Sequence, residues 1–111
     1  MADHIIDTAL PAHDPSVPKP RGLLPVPPEV AEQVARFEAR FAQEHGVPIS
    51  PEARQRMLDD WTLNYYYDDA YIAYRRTPQG VEVLAVGWDE ARKYLDARSP
   101  EYRPDIRVGT V

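Results

Sequence analysis

Residues 70–87, AYIAYRRTPQGVEVLAVG, decide the fold of this chain. Two runs rich in β-branched and aromatic residues, 70–76 and 81–87, flank the loop 77–80, which contains proline and glycine. Two such runs around a short turn predict a β-hairpin. Closing the hairpin through this loop predicts the cross-strand pairs Arg75–Glu82, Tyr74–Val83, Ala73–Leu84 and Ile72–Ala85. This register puts an ion pair near the turn and apolar pairs away from it, and because both faces are apolar we expect both to be at least partly covered.

A third helix and a last strand are predicted after the hairpin. The helix covers 88–97, begins with Asp89 and Glu90 at its positive end, and is stopped by proline at position 100. Its inner side is expected to carry four apolar side chains: Trp88, Ala91, Tyr94 and Leu95. Residues 106–111 alternate as a strand does, and fit beside the first strand of the hairpin, in the sheet order 2-1-3.

Two helices are predicted before the hairpin. The first begins at Pro28, carries apolar residues at i, i+4, i+7 and i+11, and ends at Gly46. Ser50 followed by Pro51 predicts the start of the second helix, which should end near Tyr66. The short connection between them favours an αα-hairpin.

Residues 1–27 are predicted to be a disordered or extended proline-rich tail, and 28–111 a single domain. The tail prolines prevent a helix or a central strand from propagating. Two apolar islands interrupt the tail: Ile5 and Ile6 with Ala9 and Leu10, and Leu23 and Leu24 with Val26. We expect one or both to dock, on this domain or on another protein. The tail also contains P-x-x-P spacing at 15–18 and 25–28, a pattern that can bind aromatic grooves. The predicted fold class is therefore α+β: an αα-hairpin, a β-hairpin, a helix and a final strand in a three-stranded sheet.

The carboxyl-terminal half resembles a group of short bacterial and archaeal ββαβ domains of unknown function. The resemblance covers residues 70–111 and is carried by the hairpin segments YIAY (71–74) and VLAVG (83–87), the acidic helix start at 89–90 and the closing IRV (106–108). It implies the fold of this half and brings no activity with it.

Composition narrows the function classes. The 111 residues include no cysteine, which excludes disulfides, thiol catalysis and cysteine-based zinc sites. The 13 basic and 18 acidic side chains give a net charge of −5, which argues against nucleic acid as the main partner. We expect no membrane segment, no secretion signal and a cytoplasmic location, because no long apolar run and no basic segment followed by an apolar one is present.

Two chemical sites compete with a purely structural interpretation. Carboxylates beside tyrosines at 59–69 could hold a divalent cation or serve a metal-dependent enzyme. The candidate residues are Asp59, Asp60, Asp68 and Asp69, with Asp60, Asp68 and Asp69 as the cation ligands. Aromatic and basic residues on the first hairpin strand could instead stack single-stranded nucleic acid. Those residues are Tyr71, Tyr74, Arg75 and Arg76.

The sequence favours a small interaction or accessory protein over either alternative, and implies no cofactor and no catalytic residue. Its partner is expected to be another protein or a second copy of itself, bound through the tail or through an open sheet edge at 81–86. The candidate partner-binding residues belong to the two apolar islands. They are Ile5, Ile6, Leu23, Leu24, Pro25 and Val26.

Overall fold

The computed structural model describes residues 21–111, and it confirms the α+β class. Eight elements follow one another along this part of the chain. They are β1 (Gly22–Leu24), α1 (Pro28–His45), α2 (Pro51–Tyr66), β2 (Tyr71–Thr77), β3 (Gly80–Val86), α3 (Trp88–Ala91), a 3-10 turn (Arg92–Tyr94) and β4 (Arg107–Thr110).

The two long helices begin and end as the sequence predicts. Pro28 is the first residue of α1, and Gly46 ends that helix with φ 75°, donating its N–H to the Ala42 carbonyl at 2.8 Å. The Ser50 hydroxyl accepts the Ala53 N–H at 3.1 Å and caps α2. Because the connection is short, the two helices pack side by side, and Arg54 of α2 pairs with Glu38 of α1 at 2.9 Å.

The β2–β3 hairpin keeps the predicted register near the turn and departs from it further along. Arg75 pairs with Glu82 and Tyr74 with Val83, as expected. A bulge then leaves Leu84 as an extra residue, so that Ala73 pairs with Ala85 and Ile72 with Val86. The predicted pairs Ala73–Leu84 and Ile72–Ala85 are therefore wrong. The bulge turns the small Ala85 toward α3, where it packs with Ala73 and Ala91.

The sheet has four strands in the order β1-β3-β2-β4, where three were predicted. The three predicted strands do lie in the expected order, with β4 antiparallel beside β2. The additional strand, β1, lies within the predicted tail and pairs with Val81–Val83 of β3. Gly80 makes this possible: its φ is 153°, and a Cβ there would clash with the Leu24 carbonyl oxygen.

The third helix is shorter than predicted. It comprises one turn, Trp88–Ala91, and continues as the 3-10 turn instead of reaching position 97. Ala91 is buried and Tyr94 partly so, but Trp88 and Leu95, both expected on the inner side, are 48 % and 55 % exposed. A helix of one turn can bury only one or two side chains. The apolar spacing after Ala91 therefore does not correspond to a buried helical face.

Three apolar clusters hold the layers together, and both faces of the sheet are covered as expected. One lies between α1 and α2, the second between α2 and the sheet, and the third between the sheet and α3. Helix α2 is thus enclosed on two sides, with Trp61 facing α1 and Leu63 facing the sheet. Within residues 21–111 no helix is both long and apolar enough to cross a membrane.

Candidate functional site

A polar cluster joins α2 to β2 in the part of the molecule where the sequence suggested chemistry. Asp59 is 8 % exposed and accepts hydrogen bonds from Arg76 Nη1 at 3.0 Å and from Gln55 Nε2 at 3.1 Å. The next residue, Asp60, accepts a hydrogen bond from the hydroxyl of the buried Tyr74 at 3.3 Å. Helix α2 supplies the carboxylates and β2 supplies two of their donors, Arg76 and Tyr74, so the complete cluster forms only when helix and sheet are packed.

Burial shifts the proton affinities in this cluster. It raises the pKa of Asp59 above its usual 3.8, and the hydrogen bond from Gln55 and the charge of Arg76 only partly oppose this. Asp60 is more exposed, yet the desolvation of its carboxyl beside Tyr74 raises its pKa too, and the charge of Asp59 adds to the shift. Burial and the neighbouring Asp60 raise the pKa of Tyr74 to about 12.

These shifts do not by themselves identify a reactive centre. The carboxylate of Asp59 and the hydroxyl of Tyr74 are both engaged in hydrogen bonds that link α2 to β2. Perturbed pKa values accompany structural networks as well as catalytic sites. The cluster is best described as a polar clamp between helix and sheet.

The residues of the predicted cation site do not form a ligand set. Asp60 lies within α2, whereas Asp68 and Asp69 follow the end of that helix and turn the chain toward β2. Asp69 adopts φ 46° and its N–H donates to the Val111 carbonyl at 3.0 Å, as a turn residue does. Across residues 21–111 no group of three or more histidine, cysteine, aspartate or glutamate side chains is arranged to hold a metal ion.

The residues proposed for nucleic-acid binding are divided between the two faces of the sheet. Tyr74 and Arg76 turn toward α2 and its acidic residues, while Tyr71 contacts Trp88 of α3. Arg75 pairs with Glu82 at 2.7 Å and lies 3.7 Å from Asp105. Both arginines are thus paired with carboxylates, and no shared aromatic and basic surface results.

The apolar residues of the predicted tail differ in burial and in their contacts. Leu24 is 3 % exposed and belongs to the cluster between α2 and the sheet, whereas Leu23 is 48 % exposed. The Pro25 carbonyl accepts the hydroxyl of Tyr66 at 3.3 Å, and Val26 packs against the cluster between α1 and α2. The second island therefore docks on its own domain. The first island, with Ile5 and Ile6, lies outside the described residues.

An exposed aromatic pair is the feature that sequence reasoning missed. Tyr71 and Trp88 are 42 % and 48 % exposed, and their ring centroids lie 4.8 Å apart at an angle of 56°. Asp89 and Glu90, both exposed, directly follow Trp88. We call Tyr71 and Trp88 the aromatic patch, and Asp89 and Glu90 its acidic rim. The available signal was the position of Trp88 directly after Gly87, where a helix begins and a side chain need not turn inward.

Comparison of the chain with protein-family models, with curated proteins and with solved structures gave no match. The resemblance of residues 70–111 to ββαβ domains therefore stays a prediction.

Proposed function

We propose that this protein is a small non-enzymatic interaction module that binds an extended, proline-containing segment of a partner protein at the aromatic patch. The observation that carries this proposal is the pair of touching, half-exposed rings of Tyr71 and Trp88. Contiguous exposed aromatic surface is a common mark of protein interaction sites, and aromatic residues are enriched among the side chains that contribute most to binding. The polar clamp, by contrast, is occupied in holding the fold together.

The chemistry of the patch indicates the kind of segment that it fits. The two inclined rings present exposed aromatic surface side by side, and proline rings in a polyproline helix pack well against aromatic surfaces. The acidic rim adds a preference for a basic residue beside the prolines. A proline-rich segment with a flanking lysine or arginine satisfies both features.

The sheet edge that the sequence suggested is a weaker candidate surface. Strand β1 already pairs with Val81–Val83, so the edge at 81–86 is covered along half of its length. The edge left open in the described sheet on the other side is that of β4, a strand of only four residues that contains Gly109. Short edge strands are poor templates for strand addition, and we therefore place binding at the aromatic patch.

The test is a titration of the full-length protein with a polyproline peptide that ends in arginine. The chain has two tryptophans, so the indole N–H resonances of Trp61 and Trp88 can be followed separately. We expect Trp88 to shift and the buried Trp61 to stay in place. A glycine–serine peptide of equal length and charge should shift neither.

Variants then assign the binding to the patch. Trp88→Ala should lower the affinity for the peptide at least about tenfold, since truncating a central aromatic side chain costs about 2 kcal/mol or more of binding free energy. Tyr71→Phe keeps the ring and should bind as the wild type does. Val47→Ala removes apolar surface from another residue that is about half exposed, away from the patch, and serves as the control. Equal binding by the Trp88→Ala and Val47→Ala proteins, both shown to be folded by circular dichroism, would overturn the proposal.

A further inference from the structure

We infer that the aromatic patch is occupied in the free protein by the chain's own residues 15–20, PSVPKP, which compete with a partner segment. This inference rests on the proposed function, since it assigns a second occupant to the same surface. It is supported by three observations: the place where the described chain begins, the charge around the patch, and the composition of the residues directly before it.

The described chain begins beside the patch. Arg21 Nη2 lies 3.4 Å from Glu90 Oε1, and Glu90 is two residues after Trp88 in α3. Both side chains of this ion pair are more than half exposed, so it adds little to stability, but it shows where the backbone enters the domain. Six residues of polyproline helix span about 19 Å. A segment of that length before Arg21 is long enough to extend from the Arg21–Glu90 contact across the aromatic patch.

The composition of residues 15–20 matches the patch. Pro15 and Pro18 have the spacing that puts proline rings on one side of a polyproline helix. Lys19 adds a second positive charge to that of Arg21, and these charges complement the acidic rim of Asp89 and Glu90. The second P-x-x-P segment, 25–28, is not available to bind the patch, because Pro27 is buried and Pro28 is the first residue of α1.

Proline chemistry also argues against the simplest alternative, in which β1 would continue along β3. Pro18 and Pro20 have no N–H to donate, so a regular ladder beyond Gly22 would lose hydrogen bonds opposite the second half of β3. These residues can contribute ring surface instead. Because the segment is part of the same chain, its effective concentration at the patch is about millimolar, enough for a weak contact to be populated and to compete with a partner.

The experiment compares full-length wild type with the double variant Pro15→Ala, Pro18→Ala and with Pro11→Ala as the control. In the wild type we expect nuclear Overhauser effects between the Trp88 indole protons and ring protons of Pro15 or Pro18. The double variant should lose them, shift the Trp88 indole resonance, and bind the polyproline peptide about threefold or more tightly. Pro11→Ala should leave all three measurements as in the wild type.

Other outcomes separate this inference from the proposed function. Absent Overhauser effects, together with equal peptide affinity of the wild type and the double variant, would overturn self-occupation while leaving the patch as a binding site. Overhauser effects only to Ile5, Ile6 or Leu10 would assign the patch to the first apolar island and likewise overturn the choice of residues 15–20. If the peptide binds neither protein, the proposed function fails, and the Overhauser effects alone decide whether residues 15–20 lie on the patch.

Discussion

Asp59 and Asp60 are neighbours on α2 but meet different partners across the interface with the sheet. Asp59 is held by the charge of Arg76 and Asp60 by the hydroxyl of Tyr74. The pKa of each carboxyl is nevertheless raised, because desolvation outweighs these contacts. Each carboxyl thus binds its proton more tightly in the folded protein than in the unfolded chain, so its contribution to stability is largest at low pH.

The pH dependence of stability should reveal this effect in Asp60→Asn. A group whose pKa is raised on folding contributes fully below the unfolded value of 3.8, and this contribution is lost as the pH rises through the folded pKa. Asparagine does not titrate, and its oxygen can still accept the Tyr74 hydroxyl. We therefore expect the variant to lose less free energy of unfolding than the wild type between about pH 4 and about pH 7. Urea denaturation at the two pH values measures the difference.

The comparison for Asp60→Asn is Asp89→Asn, which removes the same charge from α3 and leaves the clamp intact. If the two variants change the pH dependence equally, general charge repulsion explains the result and the clamp does not.

Among the elements, β1 departs most from what the sequence predicts. A three-residue strand between prolines carries too little periodicity to be recognised. It forms because β3 offers an edge, because Gly80 has no side chain in the way of the Leu24 carbonyl, and because Leu24 fits the cluster between α2 and the sheet. Each of these conditions comes from residues far away in the chain.

Two substitutions in β1 should show whether residues 22–24 form a strand packed on the domain or belong to the tail. Leu24→Ala removes a side chain that is 3 % exposed and should lower the free energy of unfolding by about 2–4 kcal/mol. Leu23→Ala, at 48 % exposure, should change it by about 0.5 kcal/mol or less. Urea denaturation gives both values. Near-neutral effects of both substitutions would mean that residues 22–24 belong to the tail after all.

In the whole molecule, α2 is the element that the two largest clusters share. Leu58 lies in the cluster with α1, and α2 also contributes Leu63 to the cluster with Ile72 of the sheet. Loss of either cluster removes one support of α2, so we expect the helices and the sheet to unfold together.

Cooperative unfolding can be tested with one substitution in each cluster. Leu58→Ala and Ile72→Ala should each cost about 2–5 kcal/mol. Both substitutions are made in a Trp88→Phe background, so that tryptophan fluorescence reports on Trp61 between α1 and α2. In each variant a single transition should be seen, at the same urea concentration by fluorescence and by far-ultraviolet circular dichroism. A fluorescence transition in Leu58→Ala that precedes the loss of sheet signal would show that the helical pair unfolds independently.

The elements that could be predicted from the sequence are those whose conformation is determined by residues close together in the chain. Helix limits at Pro28, Gly46 and Ser50 follow from the φ preference of proline, the left-handed conformation of glycine and the hydroxyl cap. The hairpin and the place of β4 follow from side-chain alternation and from the turn.

The bulge at Leu84, the docking of β1 and the exposure of Trp88 depend on contacts between distant segments. A bulge is chosen by what packs on each face of the sheet, and an edge strand by which edge lies open. An aromatic side chain becomes a surface feature only when the helix that carries it proves too short to cover it. Local patterns specify the conformation of a segment, whereas burial is a property of the assembled molecule, and the candidate site of this protein is defined by burial.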